Sequence, residues 1–147
     1  MNADAIFWPA AAQVALSLAV MTRLYVARFA EMRARRINPQ DVATSRTAAA
    51  RLDNVAAADN FRNLFEVPVL FFAICPVLYV TGNVTTVQLA LAWAFVLGRC
   101  THSFIHITYN RVTHRFAAFI LSTLCVYAMW LVFAAQLWQA AHGEPPG

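Results

Sequence analysis

Four long, mostly apolar segments dominate this sequence, at about residues 6–27, 64–80, 86–107 and 116–139. A helix needs about 20 apolar residues to cross the ~30 Å hydrocarbon core of a bilayer, and each segment is near that length. The second segment reaches it only if its helix begins near residue 56 and carries several charged residues. The chain is 61% hydrophobic and 12% charged, whereas soluble domains are about 45–50% apolar and about 25% charged.

We therefore predict an all-α membrane protein with a single four-helix transmembrane domain over residues 1–147. Its helices are expected at about 6–27, 56–80, 86–107 and 116–139. Short connections favour antiparallel neighbours in an up-down bundle. In the longest connection, Pro39 should break any helix. Thr44 should then begin a new helix that runs into the second span.

All eleven basic residues are arginines, and their distribution predicts the topology. Eight of them surround the connection between the first two predicted helices: Arg23, Arg28, Arg33, Arg35, Arg36, Arg46, Arg51 and Arg62. The remaining three lie in or after the third helix. Excess arginine marks the cytoplasmic side, so we predict a multi-pass protein with both termini on the non-cytoplasmic side. The net charge of +4 then reflects topology and attraction to membrane lipids, and no nucleic-acid partner is expected.

Two stripes of polar residues interrupt the apolar helices at the arginine-rich end. Residues advance about 100° per position around a helix, so members of each stripe share one sector. The stripe in the second helix comprises Asp59, Arg62, Asn63 and Glu66. The stripe in the third comprises Arg99, His102, His106 and Asn110, with Tyr109 at its edge. Ionisable groups at membrane depth normally face a bundle interior and mark a working site. The simplest arrangement points both stripes at one polar pocket.

Charge balance leaves two interpretations of this pocket open. In a closed network, Arg62 would neutralise Glu66 at i,i+4 spacing, and Arg99 would pair with Asp59. Alternatively, the arginines outnumber the two acids once Arg115, at the start of the fourth helix, is included. A small anionic ligand would then complete the site, and we favour this second interpretation.

His102 and His106 also have the spacing of two metal ligands on one helix face. A catalytic zinc usually has three protein ligands, and the sequence offers no obvious third at suitable spacing. No metal is therefore predicted.

Four short motifs, in this order and spacing, resemble the family of membrane-associated proteins in eicosanoid and glutathione metabolism. The first connection carries Asn38-Pro39-Gln40-Asp41, similar to the family's Asn-Pro-x-Asp loop. The second helix carries Arg62-Asn63-Leu64-Phe65-Glu66, similar to its Arg-Asn-x-x-Glu motif. The third carries Arg99-Cys100-Thr101-His102, similar to Arg-x-x-His, and Arg115 falls where the family has an arginine opening helix four. Asp59, His106 and Phe116 depart from the pattern of some members.

The resemblance implies a homotrimer that binds glutathione between subunits as a cosubstrate. Arg115 would be the catalytic residue, placed near the glutathione sulfur. The residues expected to bind glutathione are Arg33, Arg62, Asn63, Glu66, Arg99, His102, His106 and Tyr109.

The function predicted from this resemblance is an integral membrane glutathione-dependent transferase or peroxidase. Its lipophilic small-molecule substrate, an electrophile or a lipid hydroperoxide, would arrive from the bilayer. The alternative is a non-catalytic relative that holds a lipid or small anion in the polar pocket. The apolar lining does not identify the substrate.

Overall fold

The computed structural model describes residues 2–53 and 55–142, and the regular structure in these two ranges is helical throughout. Two short 3-10 turns, Ala3–Ile6 and Pro39–Val42, accompany the longer helices. The described residues form six α-helices, in chain order α1 (Phe7–Arg35), α2 (Ser45–Arg51), α3 (Val55–Asn63), α4 (Pro68–Val80), α5 (Thr86–Ile107) and α6 (Val112–His142). The tail from 143 to 147, predicted on the non-cytoplasmic side, lies outside the described residues.

Three helical stretches are long and apolar enough to cross a membrane: Ala3–Arg35, Ala57–Val80 and Val112–His142. They confirm the prediction of an all-α integral membrane protein. Helix α5 has 22 residues, which is also enough to cross the ~30 Å core. Helix α5 is not one of the three apolar stretches, because its arginine, histidines and glutamine lower its mean hydropathy.

Helix α1 continues to Arg35, past the predicted end near residue 27. It ends where Arg36 adopts a left-handed backbone conformation with φ 53°. The Ile37 N–H then donates to the Met32 carbonyl at 2.9 Å, which closes the last turn. The predicted break at Pro39 is confirmed, because a short 3-10 turn begins there.

The chain returns to the bundle through α2, whose predicted start is confirmed. The Thr44 hydroxyl accepts from the Thr47 N–H at 3.2 Å in a capping box. The expectation that this helix runs into the second span was wrong, because Leu52 is extended and buried. Next to it, the Asp53 carboxylate pairs with Arg35 at 3.0 Å. These contacts join residues far apart in sequence, so local helix propensity does not reveal them.

The segment predicted as one helix over 56–80 is divided between Asn63 and Pro68. Proline has no N–H to donate to the carbonyl four residues earlier, and its ring clashes with that carbonyl, here on Leu64. It is well suited to the first position of a new helix, and Pro68 begins α4. After the break, the Phe61 and Arg62 carbonyls accept from the next turn, and the Asn63 carbonyl at the end of α3 has no backbone partner among the described residues.

The closest helix packing joins α5 and α6. A Cβ atom added to Gly98 would lie 2.8 Å from the Ser122 Cβ, so only glycine permits this approach. The apolar core lies mainly between α4, α5 and α6 and includes Phe71, Ile74, Leu78, Phe95, Val126 and Met129. Large apolar side chains such as Leu97 and Leu131 are exposed on the outer faces, as expected of helices that meet lipid.

Candidate functional site

Four polar side chains of α5 lie on one buried face of the helix. Arg99, His102, Ser103 and His106 are spaced by three or four residues, and each is at most 2% exposed. That spacing places them on successive turns of one side. Their burial means that each polar atom must find a partner within the protein or in a ligand.

The start of α6 supplies partners for the two histidines. The His102 Nδ1–H donates to the Arg115 carbonyl oxygen at 3.1 Å. The Arg115 Nη1 group lies 3.2 Å from His106 Nε2 and donates to the Asn110 side-chain oxygen at 2.7 Å. We name Arg99, His102, His106, Asn110 and Arg115 the arginine–histidine cluster. One guanidinium nitrogen of Arg115 is thus held, while its Nε and Nη2 have no hydrogen bond to the part of the chain described here.

Phe119, one turn after Arg115 on α6, covers the deeper part of this cluster. Its ring centre lies 5.5 Å from the Arg99 guanidinium carbon, which is a cation–π distance. The same ring lies 5.8 Å from the His102 imidazole. An aromatic face therefore takes the place of a counter-ion beside a buried cation.

Arg99 joins α5 to the broken second span. Its Nη2 donates to the Asn63 carbonyl at 2.7 Å, at the point where α3 ends. A cation is favourable at a helix C-terminus, where carbonyl groups lack partners. Nearby, Ser103 donates to the Asn60 side-chain oxygen at 3.1 Å. Arg99 therefore fixes the backbone of the Arg62-Asn63 motif, while its own Nε and Nη1 are buried without a partner.

The cluster carries unmatched positive charge. The four ion pairs within 4.0 Å among residues 2–53 and 55–142 involve neither Arg99 nor Arg115. Glu66 attracts Arg99 only from beyond that distance. The closed network, in which Arg99 pairs with Asp59 and Arg62 with Glu66, is not formed. Asp59 instead lies 3.6 Å from Arg62.

The two predicted polar stripes meet only in part within one chain. The Asn63 carbonyl accepts from Arg99. Glu66 and Asp59 attract Arg99 and His106 only from beyond 4.0 Å. Arg62 and Glu66 are exposed, and Arg62 lines a cavity between α1, α2 and α3. Helix α3 reaches α5 through the Asn60 side chain and the Asn63 carbonyl. Spacing alone assumes one continuous helix, whereas the break after Asn63 changes which residues point inward.

Two further predicted residues lie apart from the cluster. Arg33 is exposed near the end of α1 and lines an open cavity of about 540 Å³ beside Asn38 and Pro39. Tyr109 is exposed, and its hydroxyl lies 3.2 Å from His114 Nδ1. The structure thus brings together Arg99, His102, His106 and Arg115, and leaves Arg33, Arg62, Glu66 and Tyr109 outside their contacts.

Sequence reasoning missed Asn60, Ser103 and Phe119. Ser103 was detectable, because it lies four residues after Arg99 and three before His106 on the same face. Asn60 and Phe119 had no comparable signal, since their importance depends on how α3 and α6 pack against α5.

His102 and His106 lie with ring centres 5.7 Å apart. Among the described residues, no group of three His, Cys, Asp or Glu side chains is placed to hold a metal ion.

Apolar helices around buried, unmatched cations define an integral membrane protein with a polar site inside its helix bundle. Comparison with protein families identifies the group: the chain belongs to the MAPEG family, whose model matches residues 6–135. The predicted resemblance is therefore confirmed. Searches of curated proteins and of solved structures found no match. The family places this chain among membrane proteins of glutathione and eicosanoid metabolism.

Proposed function

We propose that this protein is a glutathione-dependent transferase or peroxidase that acts on lipophilic electrophiles or lipid hydroperoxides. One observation carries the proposal. Arg99 and Arg115 surround the buried histidines, with no carboxylate within 4.0 Å among the residues described. A site with that surplus favours an anionic ligand.

The donors available in the cluster suit glutathione, which carries two carboxylates and a thiol. His106 Nε2 faces an Arg115 N–H, so its buried Nδ1 carries the proton and lacks an acceptor. Arg99 adds two buried nitrogens without partners. Arg115 is only half-buried and presents Nε and Nη2 to an incoming group. These residues are thus short of acceptors, which a carboxylate or thiolate supplies.

Arg115 has the role of holding the sulfur in its charged form. Bound glutathione supplies a thiol, and the thiolate is the nucleophile, although a free thiol has a pKa of about 8.5. A cation within about 4–6 Å typically lowers such a pKa by about 1–3 units. Arg115 lies in the first turn of α6, where the helix dipole also favours negative charge. Asn110 and His106 hold its Nη1, so the guanidinium is oriented before the thiol arrives.

The remaining predicted ligands support a site shared between copies in a homotrimer of four-span subunits. Arg62 and Glu66 are exposed and do not contact the arginine–histidine cluster of their own chain. Arg33 is exposed at the arginine-rich end of α1. A neighbouring subunit would bring these side chains, with Asn63 and Tyr109, to glutathione held at the start of α6.

A non-catalytic role is the second candidate, and a specific observation favours it. Arg99 is 0% exposed and already engaged with the end of α3. Part of the positive charge therefore serves helix packing. In this alternative, the protein holds a lipid or small anion and activates no thiol.

The thiolate absorbance of glutathione added to the detergent-solubilised protein separates these functions. We expect a rise in absorbance at neutral pH with the parent protein and its loss in Arg115→Ala. Arg111→Ala is the matched control, because Arg111 is exposed one turn earlier and should leave the rise intact. Absence of a rise in the parent, or its survival in Arg115→Ala, would contradict thiol activation by Arg115.

A further inference from the structure

A cavity of about 550 Å³ lies between α1, α2 and α3, lined by neither Arg99, His102, His106 nor Arg115. Its volume is in the range of about 300–1,000 Å³ that is usual for ligand pockets. Apolar side chains supply most of its wall, notably Leu24, Tyr25, Leu52, Phe61 and Phe65. Four charged residues complete it: Arg28, Glu31, Asp59 and Arg62.

The cavity lies at the depth of lipid headgroups. Helix α1 has 29 residues and is about 44 Å long at 1.5 Å per residue, against ~30 Å of hydrocarbon. If its apolar part enters the bilayer near Phe7, about 20 residues bring it to the far boundary near Val26. Leu24 and Tyr25 then lie at that boundary, and Arg28 and Glu31 lie in the headgroup layer.

The four charges of the cavity are not equally engaged. Glu31 pairs with Arg35 at 2.9 Å and accepts from the Asp53 N–H at 2.6 Å. Asp59 and Arg62 are 3.6 Å apart, which is an ion pair but not a hydrogen bond. Arg28 is half-buried and has no hydrogen bond or ion pair to any described residue. Among the described residues that line the cavity, Arg28 is therefore the guanidinium without a polar partner, and Asp59 and Arg62 are only loosely paired.

We propose that this cavity binds a phospholipid with an ethanolamine headgroup. The phosphate contacts Arg28, the ammonium contacts Asp59, and the acyl chains lie over Leu24, Tyr25, Phe61 and Phe65. The primary ammonium of ethanolamine donates hydrogen bonds to a carboxylate. The quaternary nitrogen of choline has no N–H and cannot donate them. A headgroup with only negative charge offers Asp59 no hydrogen-bond donor and is repelled by it, so Asp59 keeps only its 3.6 Å ion pair with Arg62.

This lipid site goes beyond the proposed enzymatic function and does not depend on it. Arg62 is shared with the predicted glutathione ligands, so the tests use Arg28 and Asp59. Arg23→Ala is the matched control, because Arg23 is exposed on the same helix and does not line the cavity.

The test is native mass spectrometry of the full chain after delipidation and incubation with vesicles. The vesicles contain equal parts of phosphatidylethanolamine, phosphatidylcholine and phosphatidylglycerol. We expect the parent and Arg23→Ala to retain phosphatidylethanolamine preferentially. Arg28→Ala should retain at least about tenfold less phosphatidylethanolamine than the parent, because it loses one charge-assisted hydrogen bond. Arg28→Lys should restore part of the binding.

Asp59→Asn tests the headgroup assignment separately. It should remove the preference for ethanolamine over choline while total lipid retention stays largely unchanged. Inorganic phosphate added in excess should not displace the lipid, because it lacks the apolar contacts. The proposal is overturned by equal retention of all three lipids in the parent, by preference for phosphatidylglycerol, or by unchanged retention in Arg28→Ala. Displacement by inorganic phosphate would reassign the cavity to a free anion.

Discussion

Helices α5 and α6 carry polar clusters at two levels, and their chemistry differs. Near the start of α5, the buried Gln88 donates to the Met129 carbonyl at 3.1 Å and lies 3.5 Å from the Gln136 side-chain oxygen. Gln136 in turn donates to the Asn83 carbonyl at 3.4 Å. We name Asn83, Gln88 and Gln136 the amide cluster. Arg99 lies 11 positions further along α5, about 16 Å away at 1.5 Å per residue.

The two clusters differ in charge rather than in the helices that they join. Both clusters bridge the same two helices and both contain buried atoms without partners. The amide cluster is neutral, so its hydrogen bonds suffice to hold the helices together. Among the described residues, no carboxylate within 4.0 Å balances the charge of the arginine–histidine cluster, so this cluster favours an anionic ligand. A ligand site is therefore expected at the charged level only.

The largest effect should follow from Arg115→Ala. Losing a charge that stabilises the thiolate should lower turnover by about 100- to 1,000-fold, with a small change in KM for glutathione. In the proposed role, the Arg115 cation lowers the thiol pKa, so thiolate is present in the parent down to that lowered value. In the variant, the pH profile of the rate should move upward toward about 8.5. A profile identical to the parent's would show that Arg115 does not act on the sulfur.

Arg99→Met should have the next largest effect. It removes the charge-assisted hydrogen bond to Asn63, which is worth about 1.5–3 kcal/mol, and releases the backbone that carries Arg62. We expect a raised KM for glutathione with a smaller change in kcat, measured by steady-state kinetics. A fall in kcat with no change in the KM for glutathione would place Arg99 at the reacting atoms instead.

Gly98→Ala tests the close approach of α5 and α6 that lies between the two clusters. The added Cβ would lie 2.8 Å from Ser122 Cβ, and overpacking of this kind costs about 1–3 kcal/mol. Thermal unfolding in detergent should show a lower midpoint. Ser122→Gly in the same chain removes the opposing Cβ and should recover much of the loss, whereas no recovery would contradict the assigned clash.

The smallest effect should come from Gln88→Leu. Interhelical hydrogen bonds in membrane proteins average about 0.6 kcal/mol, so stability should fall slightly. The thiolate absorbance of bound glutathione should not change, because the amide cluster is remote from Arg115. Loss of that absorbance in a folded Gln88→Leu protein would show that the amide cluster is not purely structural.

Much of the molecule was predictable from local pattern. The apolar lengths and the ordered motifs predicted a helical membrane protein of this family, which the helices and the family match confirm. Pro39 and Thr44 marked the break and the restart in the long connection. Pro68 also indicates a helix break, but the apolar run that continues to residue 80 favoured one uninterrupted helix. Of the predicted site residues, the structure brings together Arg99, His102, His106 and Arg115. Spacing did not distinguish them from the others, because it identifies a helix face without saying what that face meets.

The sequence by itself determined the all-helical membrane class and the family, since apolar runs and motif order are properties of the chain. Only the tertiary structure decided which arginines are buried. Arg99 caps α3 while Arg62 turns outward, because the break at Pro68 and the approach of α5 to α6 at Gly98 set how each helix is rotated. Rotation about a helix axis depends on packing partners, which lie far apart in sequence.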